Sequence, residues 1–227
     1  MKNKKLVIFG LGETAALAYE YFTKDSDFEV CAFAADRNFV NIEEKFGLPV
    51  VASEKLIETY PPEIFLLFIA ISSSRLNYDR AGIYLKLKNR GYRFASYVSS
   101  KAFVWDNVKI GENCFILENN TLQPFITIGN NVTLWSGNHI GHRSEVGEHC
   151  FITSHVTISG FCKIGSRTFI GVGSCIADRV TVAENNFIAM GTAIRKNTKR
   201  NSMYVGSLAE NKGIDTLEFF KVKDYHL

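Results

Sequence analysis

The chain has 227 residues, 46% of them hydrophobic, with 26 basic and 23 acidic residues and a formal net charge of +3. That apolar content can bury a core as one long or two short domains, while the near-balance of charge excludes a strong field toward nucleic acid or an anionic membrane. A small anionic ligand stays compatible with it.

The opening stretch MKNKKLVIFGLGETAALAYE joins a basic tip to an apolar run, but Glu13 interrupts the run and no cleavage site follows, so an export signal is not expected. An apolar strand precedes Gly10-Leu11-Gly12, a helical stretch runs to about Lys24, and a second strand, EVCAFAADR, ends at Asp36. A helix N-terminus approached through Gly10 and Gly12 can hold phosphate, and Asp36 can meet a ribose hydroxyl. Ala15 takes the third glycine's place, and a tight strand-to-helix turn without ligand is the alternative. The run IFLLFIAI, from Ile64 to Ile71, is far short of the ~20 residues a membrane helix needs and reads as a strand. It ends in Ser72-Ser73-Ser74, at a sheet edge where serines can meet a ligand or simply cap a loop. A helix over about Leu76–Asn89 is expected next, and the pattern changes near Ser99–Lys101.

From Val104 every sixth residue to Ile194 is Ile, Leu or Val, sixteen positions without exception. Six matches neither the helical period of 3.6 nor the strand period of two, but it matches a coil whose every flat face uses one hexapeptide. The position four residues after each aliphatic is mostly small or modest, as a narrow corner requires, and the repeat places Cys114, Cys150, Cys162 and Cys175 as small core or corner residues. A second regularity at eighteen residues, IGENCFI, IGNNVTL, VGEHCFI, IGSRTFI and VAENNFI, makes three hexads one coil. With strands stacked ~4.8 Å apart, the product is a β-solenoid whose ends need caps. Cys31 is the fifth cysteine; no C-x-x-C pair and an odd number point to reduced thiols in the cytoplasm and to no metal site.

The hexads resemble those of left-handed β-helix acyltransferases, and that resemblance implies the left hand, a homotrimer and acetyl-CoA as cosubstrate; parallel crossovers in general are right-handed. Over roughly residues 1–206 the whole chain resembles the bacterial sugar O-acyltransferase family, which includes sialic acid O-acetyltransferases and N-acetyltransferases of nucleotide-linked amino sugars. The implied architecture is an α/β Rossmann-like half-domain over 1–99 that binds the nucleotide sugar near Gly10, Gly12 and Asp36. A left-handed parallel β-helix over 100–206 and a C-terminal tail over 207–227 follow.

In that family a catalytic histidine sits in an isoleucine-glutamate-histidine-aspartate segment, with a glycine eighteen residues later. Ile140-Gly141-His142-Arg143 occupies that place and Gly160 lies eighteen residues beyond, so His142 is the expected base. Gly141 and Arg143 replace the flanking acids, so any carboxylate that orients the imidazole comes from elsewhere, with Glu118, Glu145 and Glu148 as candidates. A sugar ammonium must lose a proton before it attacks a thioester; imidazole titrates near 6.5 and can accept it, while a backbone N–H can stabilise the oxyanion. His139, His155 and Asn138 are candidate substrate contacts, though a left-handed turn also explains Asn138 and structural hydrogen bonding also explains His155. His149 is expected on the turn surface, and Trp135 against a neighbouring subunit.

Gly171, Gly173 and Gly191 are expected to expose backbone to a pantetheine arm, unless they only relieve corner strain. Arg195 and Lys196, with Lys199 and Arg200, suit the phosphates of CoA. The family's terminal glycine-asparagine-proline-alanine motif is represented only by Gly206 and Ala209. The expected activity is acetyl-CoA-dependent N-acetylation of a nucleotide-linked amino sugar for surface glycan synthesis. Its rivals are an O-acetyltransferase on the same scaffold and a non-enzymatic nucleotide-sugar-binding solenoid with inert histidines.

Overall fold

The computed structural model describes residues 4–207 and 210–221. Its first third is an α/β unit built on β1 (Lys4–Phe9), β2 (Phe28–Ala35), β3 (Glu44–Lys45), β4 (Leu48–Ala52) and β5 (Phe65–Ile69). The strand order is β3-β4-β2-β1-β5, parallel except for the β3–β4 hairpin. Phe46 and Gly47 close that hairpin with φ of 53° and 72°, the doubly positive pair that a two-residue turn uses to match strand twist. Helices α1 (Glu13–Lys24), α2 (Leu56–Thr59) and α3 (Tyr78–Lys88) complete the unit, α3 starting two residues later than the sequence suggests. Residues 75–77 are left-handed, with φ of 48°, 51° and 67°, and delay the helix.

The remainder is a three-sided prism of two-residue parallel strands, and it is a left-handed parallel β-helix. Face A runs from Phe103–Val104 to Ala193–Ile194, face B from Lys109–Ile110 to Thr181–Val182, and face C from Tyr97–Val98 to Met203–Tyr204. Strands pair with those eighteen residues on, as Thr121 with His139 and Leu122 with Ile140, except in the last rung of face C, where Phe187 pairs with Met203. The sixfold aliphatics point inward, where Leu122, Ile140 and Ile158 are fully buried and Val104 and Ile110, in the first coil, partly so. Each such side chain contributes about 1.5–3 kcal/mol of transfer free energy.

The corners are formed by residues in the left-handed backbone region. Fourteen successive residues at intervals of six, Asn113 to Gly191, have φ between 54° and 77°. Seven of the fourteen are Asn or Gly, the residues that enter this region at least cost. The side chain after each of them turns inward, which buries Cys114, Cys150 and Cys162. Cys175 corrects the expectation for the fourth cysteine: it precedes Ile176 in its strand and faces outward, exposed.

The two halves share a core. Phe22 and Phe68 of the α/β unit pack with Tyr97, Phe115, Leu117 and Trp135 of face C, and the Ile69 N–H donates to the Asn113 side-chain oxygen across 2.7 Å. The ladder already includes Tyr97–Val98, ahead of residue 100. Trp135 therefore packs against the chain's own N-terminal unit, which corrects the expectation of a subunit contact. At the other end, Leu208 and Ala209 of the terminal motif lie outside the described residues. No helix among the described residues is long and apolar enough to cross a membrane.

Candidate active site

The eighteen-residue repeat stacks residues into columns, and the column at the edge between faces A and B contains Pro124, His142, Gly160 and Asp178. His142 follows Gly141, where a Cβ would come within 2.5 Å of the Gly160 amide nitrogen, so only glycine lets the coils close at that point. The His142 imidazole is exposed and lies over Gly160: a Cβ on Gly160 would fall 2.7 Å from His142 Cε1 and 3.2 Å from an Asp178 carboxylate oxygen. The glycine leaves a hollow between imidazole and carboxylate. Phe161 meets the imidazole edge-on at 5.0 Å.

The polar partner of His142 comes from the preceding coil. The His142 backbone N–H donates to Gln123 Oε1 across 2.9 Å, and the same oxygen lies 3.3 Å from ring Nδ1. None of the three expected glutamates fills this place. Glu118 accepts from Tyr21 and Ser136 at the opposite edge of face A, Glu145 points outward on face B, and Glu148 accepts from the Asn130 side chain. Gln123 was findable in the sequence, because subtracting eighteen from Gly141 lands on it; a search restricted to carboxylates passes over it.

His139 projects from the strand His139–Ile140 in face A. His155 sits at the far edge of that face in a left-handed corner, φ 56°, with its ring packed where a Gly137 Cβ would stand. The three histidines thus flank one face without touching one another among the described residues. Asn138 corrects its expectation. It is 1% exposed, its amide donates to the Trp135 carbonyl and its oxygen accepts from the Val156 N–H, so its polar atoms are consumed inside the corner.

His149 is a second correction, because it is 4% exposed rather than on the turn surface. Its corner is the one on which α3 docks. The fully buried Arg80 guanidinium donates to the carbonyls of Asn131, His149 and Cys150 and to Asn77, and Asn131 Nδ2 meets His149 Nδ1 at 2.9 Å. Burial pushes the His149 pKa down to about 4, against the pull of Glu148 and with the help of Arg80 and Arg167.

The N-terminal candidates share another cavity. Gly10, Gly12 and Asp36 line a cleft of about 860 Å³ with Ser72, Arg75 and Asp79. Gly10 has φ 140°, and a Cβ there would stand 2.5 Å from the Ala70 carbonyl oxygen, so packing alone requires this glycine. Gly12 has open space around it and precedes α1. Asp36 accepts from Ser53 across 2.7 Å and pairs with Lys86 at 3.0 Å. Burial raises its pKa, but these partners outweigh burial and hold it below the usual range.

At the far end of the prism, Arg195 and Lys196 border a hollow of about 530 Å³ with Tyr204. Gly173 and Gly191 are exposed left-handed corners with open space where a side chain would be. Gly171 is buried, and a Cβ there would overlap the Met190 amide; it serves coil stacking and presents no backbone to a ligand. No three His, Cys, Asp or Glu side chains converge as metal ligands among the described residues.

The family described as bacterial transferase hexapeptide (six repeats) matches residues 107–141 and 125–160. No curated protein matches the chain in sequence. Among solved structures, the acetyltransferase domain of PglB from Neisseria gonorrhoeae is 20% identical, with a TM-score of 0.81 over 90% of this chain and 97% of that one. A variant of perosamine N-acetyltransferase from Caulobacter crescentus, in complex with CoA and GDP-perosamine, is 20% identical, with a TM-score of 0.79 over 89% and 93%. WeeI from Acinetobacter baumannii is 19% identical, with a TM-score of 0.68 over 89% and 97%. These likenesses extend through both halves of the chain and establish the shared fold.

Proposed function

We propose that this chain is an acetyl-CoA-dependent N-acetyltransferase that acts on the amine of a nucleotide-linked amino sugar in glycan synthesis, with His142 as general base. The observation that carries the reading is the exposed His142 imidazole, held at its backbone and ring by Gln123 and set over the side-chain-free Gly160. It stands in a fold shared with proteins whose structures contain CoA and GDP-perosamine.

The residues fit both ligands. The open N-terminus of α1 at Gly12, together with Arg75, offers donors to a diphosphate in the cleft. Asp36 is available to a ribose once Lys86 shares it. Gly173 and Gly191 give a pantetheine arm room against the prism edge, and Arg195 and Lys196 supply charge for its phosphates. When bound, acetyl-CoA supplies the acyl group. His142 takes the proton of the sugar ammonium, and Gly160 leaves space beside the ring for the amine to approach. His139 and His155, at the centre and edge of face A, are held as substrate contacts. The cleft and the prism hollow have no lining residue in common, so we propose that a homotrimer in the cytoplasm brings one protomer's His142 to its neighbour's ligands.

The test is thioester consumption with a panel of amino and hydroxy nucleotide sugars. Turnover with an amino sugar and not its hydroxy counterpart supports the proposal, the reverse assigns O-acetylation, and failure to bind acetyl-CoA by calorimetry in folded protein leaves a binding module. His142→Ala is expected to lower kcat about 10²–10⁴-fold while acetyl-CoA binding persists; unchanged turnover removes the base assignment.

A further inference from the structure

We propose that Gln123 is a positioning residue that locks His142 in the Nδ1–H tautomer and so presents Nε2 as the proton acceptor, a neutral amide standing where a carboxylate would otherwise orient the base. This rests on the acetyltransferase reading for its consequence, but not for its geometry. A backbone N–H can only donate, so the Gln123 atom 2.9 Å from the His142 nitrogen is the amide oxygen and not its NH₂. That oxygen can only accept, and it lies 3.3 Å from Nδ1. Nδ1 must therefore carry hydrogen. A neutral imidazole has one N–H, which leaves the lone pair on Nε2, and Nε2 has no partner among the described residues.

The rest of the surroundings agrees with that orientation. Nδ1 lies within reach of Gln123 in the preceding coil, Gly160 in the following coil puts no side chain beside Cε1 and Nδ1, and Phe161 restrains the ring edge-on. Of the charged groups nearby, Arg143 stacks on Phe125, and Asp178 pairs through Oδ2 with Arg179, which stacks on Phe161, while Asp178 Oδ1 borders the Gly160 hollow across from the ring. When Nε2 takes the ammonium proton, the amine lone pair is freed and the imidazolium keeps its Nδ1–H on Gln123. The amide orients the base without placing a negative charge against it. An acid at position 123 would do both, and the two contributions can be separated by substitution.

The first measurement needs no turnover. Long-range ¹H–¹⁵N correlation spectra of ¹⁵N-labelled protein, taken at mildly alkaline pH, are expected to show the Nδ1–H pattern, and Gln123→Leu is expected to convert it to the Nε2–H form. An Nε2–H pattern in the unsubstituted protein overturns the proposal. The second measurement is kinetic. Gln123→Leu is expected to lower kcat about 10–100-fold, as loss of an orienting partner commonly does, with KM for acetyl-CoA held. Gln123→Glu keeps the acceptor for the backbone N–H, and is expected to restore kcat and move the acid limb of the kcat/KM profile to higher pH. Unchanged kcat in Gln123→Leu, or an acid limb that does not move in Gln123→Glu, also overturns it. Absence of turnover with every substrate defeats the acetyltransferase reading instead, and the spectra still decide Gln123.

Discussion

Two histidines in similar hexapeptides are assigned opposite behaviour by what packs on their corners. His142 stands exposed on an edge that no element covers among the described residues, whereas His149, one hexad later, lies under α3 beside the Arg80 guanidinium. In the folded chain His149 stays neutral until about pH 4, while the unfolded chain protonates it from about 6.5. Between those values the unfolded state binds the extra proton, so stability falls as pH falls and the loss is complete below about 4. The loss should be on the order of 3 kcal/mol, at about 1.4 kcal/mol per pKa unit. Urea unfolding at pH 7 and pH 4 measures it. His149→Asn, which places the same residue as Asn113 and Asn131 in that column, is expected to reduce the difference by most of that amount.

At the scale of the element, one hexapeptide must supply an inward aliphatic, a left-handed corner and an inward small residue, and these demands compete. Phe125 shows the cost: it holds φ 66° and is 53% exposed, so a bulky residue occupies a region that costs an ordinary side chain roughly 1–2 kcal/mol. Its partial compensation is the Arg143 guanidinium, 4.4 Å from the ring centroid, worth about 0.5–1 kcal/mol at an exposed site. Phe125→Asn is therefore expected to leave stability unchanged or raise it by up to about 1 kcal/mol, as a shift in denaturation midpoint without change in slope. The sixfold period was legible because every coil repeats the same packing problem. It showed the aliphatic core and the small inner corners, whereas His142 was singled out only by the family resemblance. It treated all corners as equal, and so missed that those bearing Asn131 and His149 are buried by α3 and that Asn138 spends its amide inside the turn.

On the whole molecule, the same reasoning identified a β-turn-α-β unit and a solenoid but not how they join, since no local pattern marks Arg80 as the residue that enters the prism. Arg80 is 1% exposed, and burial lowers its pKa to about 10, so it stays charged at neutral pH. No carboxylate among the described residues neutralises it; backbone carbonyls of two coils and the amides of Asn77 and Asn131 hold it instead. Removing the guanidinium leaves the Asn131 and His149 carbonyls and the Asn77 side-chain oxygen buried without that donor, at about 1–3 kcal/mol each when nothing replaces it, while the Cys150 carbonyl still accepts from the Thr133 N–H. The aromatic layer of Phe22, Phe68, Tyr97 and Phe115 covers the rest of the junction, so each half depends on the other to bury its face. The protein is accordingly expected to unfold in a single calorimetric transition despite its two architectures. Arg80→Met keeps much of the side-chain volume but none of the donors, and should split that transition, with the α/β unit melting first and the solenoid, whose ladders run the length of the prism, following. A single transition at an unchanged temperature in Arg80→Met would mean that the aromatic layer alone couples the halves, and Phe115→Ala in the same background would then be the substitution that separates them.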